Sequence, residues 1–145
     1  MGLLSFWPPP ASLDAPPGLT ASSRTARYLA VQDNVLKEVT AWRSQLRKGS
    51  LELAVLLALR KERRYGLELV EILNECNLGM SEGSVYPLLS RLRAEKKVTT
   101  EWVDTGVGHA HKYYELTDHG GQTLKAMLTA WRQFSQAFEK LINEK

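Results

Sequence analysis

The chain has 145 residues, 43% apolar and 24% charged, with one cysteine and a formal charge of +3. That length can enclose a real hydrophobic core, and the composition is that of a folded chain. A lone Cys76 excludes a disulfide-stapled fold, while the mildly basic balance permits a nucleic-acid partner without requiring one.

No apolar run reaches the length of a membrane span. The first residues lack a basic leading segment, and the apolar stretch before Pro8 is too short for a secretion signal. Phe6 stands where N-myristoylation wants Ser or Thr. The expected location is the cytoplasm.

Residues 1–30 hold Pro8, Pro9, Pro10, Pro16 and Pro17, five of the six prolines, and are expected to form a disordered extension. Val35, Val39, Trp42 and Leu46 then recur at helical spacing, with Gly49 expected to end the helix or allow a tight turn. Ser50 is placed to cap a second helix over 50–61. Its unbroken apolar run Ala54–Leu59 predicts a buried central helix.

Lys61–Arg64 read as a charged turn, and Tyr65-Gly66 open a short helix with Leu69, Val70, Leu73 and Cys76 facing inward. Asn77-Leu78-Gly79 close it, Gly79 in a left-handed conformation. Ser81 caps a third helix over 81–97, in which Val85, Leu88, Leu89 and Leu92 form a buried stripe. Arg91, Arg93, Lys96 and Lys97 crowd its C-terminal half, and Pro87 predicts a bend.

Residues 98–103 alternate like a strand, with Val98, Thr100 and Trp102 on one face. Asp104–Ala110 form a loop and His111–Leu116 a second strand, completing a hairpin. Thr117 caps a last helix of about 25 residues, roughly 38 Å long. Its Leu124, Met127, Trp131, Phe134, Phe138 and Leu141 repeat every 3.5 residues, the seam of a helix lying along another helix.

The expected fold is therefore mainly α with a small β-hairpin. It is a winged helix-turn-helix with an N-terminal helix and a long C-terminal dimerisation helix. The divisions are a disordered extension over 1–30, the winged domain with its preceding helix over 31–117, and the dimerisation helix over 118–145.

In such a fold the third helix enters the DNA major groove, where short polar side chains and Arg or Lys read base edges. Ser81, Ser84 and Tyr86 lie on its exposed early part, and Arg91 further along suits a phosphate. Lys112, with His111 beside it, belongs to the wing next to the DNA backbone. Each also has a structural reading: Ser81 as a helix cap, Tyr86 as a satisfied hydroxyl, Lys112 as a solvated strand residue. Catalysis is not expected. Cys76 lacks the electropositive surroundings that activate a thiol, and there is no phosphate-binding loop. His109, His111 and His119 have no metal-ligand spacing, so neither a metal nor a cofactor is expected.

The chain resembles the PadR family of bacterial transcriptional regulators from about Trp42 to Trp131. The resemblance is carried by Leu46-Arg47-Lys48-Gly49, Tyr65-Gly66-Leu67-Glu68-Leu69 and Ser81-Glu82-Gly83-Ser84-Val85-Tyr86-Pro87-Leu88-Leu89-Ser90-Arg91-Leu92. It continues in Lys112-Tyr113-Tyr114-Glu115-Leu116-Thr117 and Gly120. The resemblance implies a DNA-binding homodimer, usually a repressor, and a Pro87 tolerated within its helix. In the short, multidrug-responsive members an aromatic on the C-terminal helix lines a ligand pore between subunits. Trp131 falls at that place, and Trp42, Val39 and Val35 would join it from the N-terminal helix. Flat hydrophobic effectors would stack there.

Trp131 reads equally well as a dimer-core aromatic. The chain departs from the family wing at His111 and Glu115, where Arg is common. From Ser81 to Lys112 there are five Lys or Arg against four Asp or Glu, a weakly basic surface. An alternative function is a protein-interaction module that uses the winged helix as a scaffold and senses no ligand.

Overall fold

The computed structural model describes residues 21–104, 106 and 108–144. Its elements are α1 (Ala21–Ala58), β1 (Arg64–Tyr65), α2 (Gly66–Glu75), α3 (Glu82–Ala94), β2 (Val98–Val103), β3 (His111–Leu116) and α4 (Asp118–Asn143). The three strands form one antiparallel sheet in the order β1-β3-β2. This is the mainly helical, winged arrangement expected, with a third short strand added to the hairpin.

The chain divides into two units, 1–43 and 44–145. In the first, residues 21–43 are helical, and Tyr28, Val31, Val35, Val39 and Trp42 are exposed. The expectation of a disordered extension over 1–30 is corrected for 21–30, while 1–20 lie outside the described residues. The reason is local: no proline follows Pro17 before Pro87, and Ala26, Arg27, Leu29 and Ala30 favour the helix.

In the second unit α1 runs on through Gly49 instead of stopping there. Ser50 caps nothing; its hydroxyl donates to the Leu46 carbonyl at 2.8 Å. Tertiary burial overrides the glycine. Leu53, Val55, Leu56 and Leu59 of α1 enter the core beside Leu69, Leu73, Val85, Leu88, Leu89 and Leu92, closed by Met80, Val98, Tyr114 and Leu124. Burying each such side chain is worth roughly 1.5–3 kcal/mol, against about 1 kcal/mol for an interior glycine.

Backbone and side-chain hydrogen bonds hold the turn between α2 and α3. Asn77 (φ 58°) takes the left-handed position after α2, with Asn77 N–H donating to Asn74 O and Leu78 N–H to Leu73 O. Gly79 is also left-handed at φ 61°, as its sequence context predicts. The Asn74 side chain accepts from Met80 N–H at 2.7 Å and donates to Met80 O at 3.0 Å, which sets the spacing of the two helices. Cys76 is exposed, not inward as expected, because α2 ends at Glu75 and the thiol sits on its C-cap.

Pro87 does not interrupt α3, whose apolar stripe Val85, Leu88, Leu89 and Leu92 is wholly buried. β1 takes Arg64 from the expected charged turn and Tyr65 from the expected helix start, and pairs Arg64 with Tyr114 and Tyr65 with Tyr113. Two residues are too few to show a strand's alternation in sequence.

Candidate nucleic-acid interface

The N-terminus of α3 offers a small polar surface. Ser81, Glu82, Gly83 and Ser84 are all exposed, and the Ser81 and Ser84 hydroxyls lie 3.1 Å apart. Ser81 holds the N-cap position without a side-chain cap bond, so both hydroxyls keep capacity for an outside partner.

Tyr86 follows on the same helix, 38% exposed. Its ring lies flush on the first turn of α2: a Cβ at Gly66 would come within 2.5 Å of the ring and the hydroxyl. Only glycine leaves that space. Tyr86 and Arg93 of α3 also lie within electrostatic reach of Tyr114 of β3. Burial pushes the Tyr114 hydroxyl pKa upward, Tyr86 adds to the rise, and Arg93 opposes it.

Strand alternation then sorts the wing into two faces. Pairing in register places Val98, Thr100 and Trp102 opposite Leu116, Tyr114 and Lys112 on the face that packs onto the core. Beyond the core, the Lys112 ammonium lies 5.8 Å from the centroid of Tyr114 and 5.8 Å from that of Trp102. Lys112 thus bridges the rings of Tyr114 and Trp102 on this face.

The other face carries Glu101, Val103, His111, Tyr113 and Glu115. His111 stacks on Tyr65 with centroids 4.6 Å apart, and Tyr65 meets Tyr113 edge-on at 5.6 Å. Arg63 lies 5.1 Å over Tyr113 and pairs with Glu101 at 2.5 Å. Lys112 and His111, paired in the sequence reading, therefore point to opposite sides of the sheet.

Arg91 is engaged within the subunit. Its guanidinium meets Glu52 of α1 at 2.7 Å and Glu95 at 3.9 Å. Lys97 bonds both carboxylates, each at 2.7 Å. Donating hydrogen bonds to Glu52 and Glu95 holds the Lys97 pKa above its ordinary value, and accepting from Lys97 holds that of Glu95 below its own. This network straps the C-terminal end of α3 to α1.

The residues expected to meet a ligand are all surface residues. Val35, Val39 and Trp42 lie on the exposed face of the first unit. Trp131 in α4 is 48% exposed, followed by exposed Phe134, Phe138, Leu141 and Ile142. Leu124 is buried and Met127 and Leu128 pack partly on the core, so only the start of α4 is covered within the second unit. Phe134 and Phe138 stack at 4.8 Å. Among the described residues no cluster of His, Cys, Asp or Glu could hold a metal ion, and no helix is long and apolar enough to cross a membrane.

Gly66, Asn74, Glu52 and Trp102 shape the site without having been singled out by the sequence. Trp102 could have been, as an aromatic at a solvent-facing position near the end of a strand. Gly66 and Glu52 act through partners distant in sequence, Tyr86 and Arg91, while Asn74 acts across the turn on Met80 six residues on.

Residues 55–126 match the model of the transcriptional regulator PadR-like family. A PadR-like transcription factor from Bacteroides fragilis is 35% identical, with TM-score 0.59, covering 70% of this chain and 98% of that one. A PadR family regulator from Eggerthella lenta is 30% identical, with TM-score 0.66, covering 81% and 99%. Bacillus subtilis PadR, solved in complex with operator DNA, is 32% identical, with TM-score 0.50, covering 54% of this chain and 45% of that one. No curated protein matches the sequence.

Proposed function

The chain belongs to the PadR-like family of transcriptional regulators, and from that membership we propose that it acts in the cytoplasm as a dimeric, sequence-specific repressor binding double-stranded operator DNA. The carrying observation is the exposed polar start of α3, Ser81, Ser84 and Tyr86, in a winged-helix frame whose wing holds Lys112 over the Tyr114 and Trp102 rings. Ser81, Ser84 and Tyr86 read the major groove, and Lys112 meets a phosphate of the adjoining backbone. The operator complex of the Bacillus subtilis relative supports this reading.

Arg91 has a smaller part in this proposal than its charge suggests, since Glu52 already neutralises it. His111, stacked on Tyr65, contributes from the far face of the wing or not at all. The chain is a regulator, as its family is, and no step of chemistry is assigned to it.

The apolar face of α4 from Trp131 to Ile142 is the dimerisation surface, within a dimerisation helix over 118–145 that follows the winged domain with its preceding helix over 31–117. A flat hydrophobic effector stacks on Trp131 with Trp42, Val39 and Val35, and its binding releases the operator. A second reading, a protein-interaction module without ligand sensing, draws on the same exposed face together with the weakly basic segment from Ser81 to Lys112.

A gel shift with the duplex upstream of the chain's own gene tests the DNA reading. The wild-type protein should retard it, and Tyr86→Ala and Lys112→Ala should weaken the shift. If both variants bind as wild type does, the site is wrong. Sedimentation separates the two readings of α4, because a stable homodimer leaves no seam for another partner.

A further inference from the structure

Trp102 has no role in the fold proportionate to its size. It stands on β2 at 67% exposure, on the same sheet face as buried Val98 but beyond the core. Its exposed indole and the wing cation beside it form one amphipathic surface on the hairpin. The cross-strand Lys112 lies beside it on that face, 5.8 Å from its ring. The hairpin carboxylates of Glu101 and Glu115 occupy the opposite face, where Glu101 is held by Arg63.

We propose that Trp102 is a DNA-contacting residue of the wing, packing its indole against deoxyribose beside the phosphate that Lys112 holds. The inference rests on the DNA-binding reading above. In a DNA strand each sugar adjoins a phosphate, so a ring held next to a phosphate-bound ammonium meets the apolar flank of the sugar. The pair divides the labour: Lys112 supplies a contact that salt weakens, and Trp102 one that salt leaves unchanged. Such a contact carries no base code and fixes how the wing seats on the duplex.

Anisotropy of a labelled duplex, titrated with full-length protein from about 50 to 200 mM salt, reads the two contributions separately. Trp102→Ala should raise Kd about ten-fold at every salt concentration with the slope unchanged. Lys112→Ala should lower the slope by about 1. A Trp102→Ala protein that binds within two-fold of wild type throughout, with wild-type binding intact, overturns the inference alone. Wild-type protein that binds neither the upstream duplex nor a random one overturns the DNA reading with it.

Should Trp102→Ala fail to fold, fluorine NMR of 5-fluorotryptophan protein gives an independent test, with the Trp102 signal assigned through Trp102→Phe. That signal should move on addition of duplex. An unmoved Trp102 signal in saturated complex refutes the contact.

Discussion

Gly120 in α4 faces the carbonyl oxygen of Lys97 so closely that a Cβ added there would collide with it and with Leu116 Cδ2. The same carbonyl accepts from Thr117 N–H at 3.1 Å, while the Thr117 hydroxyl donates to Lys96 O at 2.6 Å and accepts from Gly120 N–H at 3.0 Å. The start of α4 is thus docked on the turn that ends α3, and the missing side chain at Gly120 permits the approach.

Gly120→Ala should consequently destabilise the protein by about 3 kcal/mol, since the obstacle is backbone and cannot rotate away. Urea denaturation of the variant beside Gly121→Ala, whose Cβ would meet nothing, checks this. Equal midpoints for the two would show that α4 sits elsewhere.

Gly66→Ala tests a different kind of closeness. Its Cβ would strike the ring of Tyr86, a side chain that can swing aside. The expected outcome is a modest stability loss of about 1 kcal/mol with a roughly ten-fold or greater loss of operator affinity. Denaturation and gel shift on the same preparation separate the two effects.

Lys96 is left-handed at φ 58° in the position after α3 that usually takes glycine, with Lys97 N–H bonded to Leu92 O and Lys96 N–H to Arg93 O. A non-glycine residue there costs about 1 kcal/mol. Lys96→Gly should raise the denaturation midpoint by a comparable amount, partly offset by the freer unfolded chain.

The Glu52–Lys97–Glu95 network should show itself at both ends of the pH scale. The folded pKa of Lys97 lies above 10.5, so its contribution is full below pH 10.5 and disappears as pH rises through the folded value. The folded pKa of Glu95 lies below 4.5, so its contribution is full above pH 4.5 and fades as pH falls through the folded value. The urea-midpoint difference between wild type and Lys97→Met should be widest between those limits and narrow beyond each. A difference flat across the whole range would mean the network adds nothing.

Phe138 stacks on Phe134 on the exposed face of α4. Placing a carboxylate there by Phe138→Glu should turn a sedimenting dimer into monomers at micromolar concentration while the circular dichroism spectrum is kept. A variant that still sediments as a dimer would place the self-association surface away from α4.

Most of the local structure is legible in the chain itself. The stripe Val85, Leu88, Leu89 and Leu92, the alternation of 98–103 and the cap at Thr117 announce α3, the hairpin and α4, because periodicity reports which side of an element is buried. The polar start of α3 is readable too, since it departs from that stripe. The continuity of α1 through Gly49 is not, because burial of Leu53, Val55 and Leu56 outweighs a local preference to stop. Nor is the engagement of Arg91 by Glu52, 39 residues away.

By itself the sequence determined α3, the hairpin, α4, their buried stripes and the family, since each is written in spacing between near neighbours. Tertiary structure alone decided which polar groups remain for a partner. It turned His111 and Lys112 to opposite faces, tied Arg91 to α1, and set Lys112 against the rings of Tyr114 and Trp102. Those outcomes depend on packing between residues far apart in the chain, and no pattern of neighbours records where two distant side chains meet.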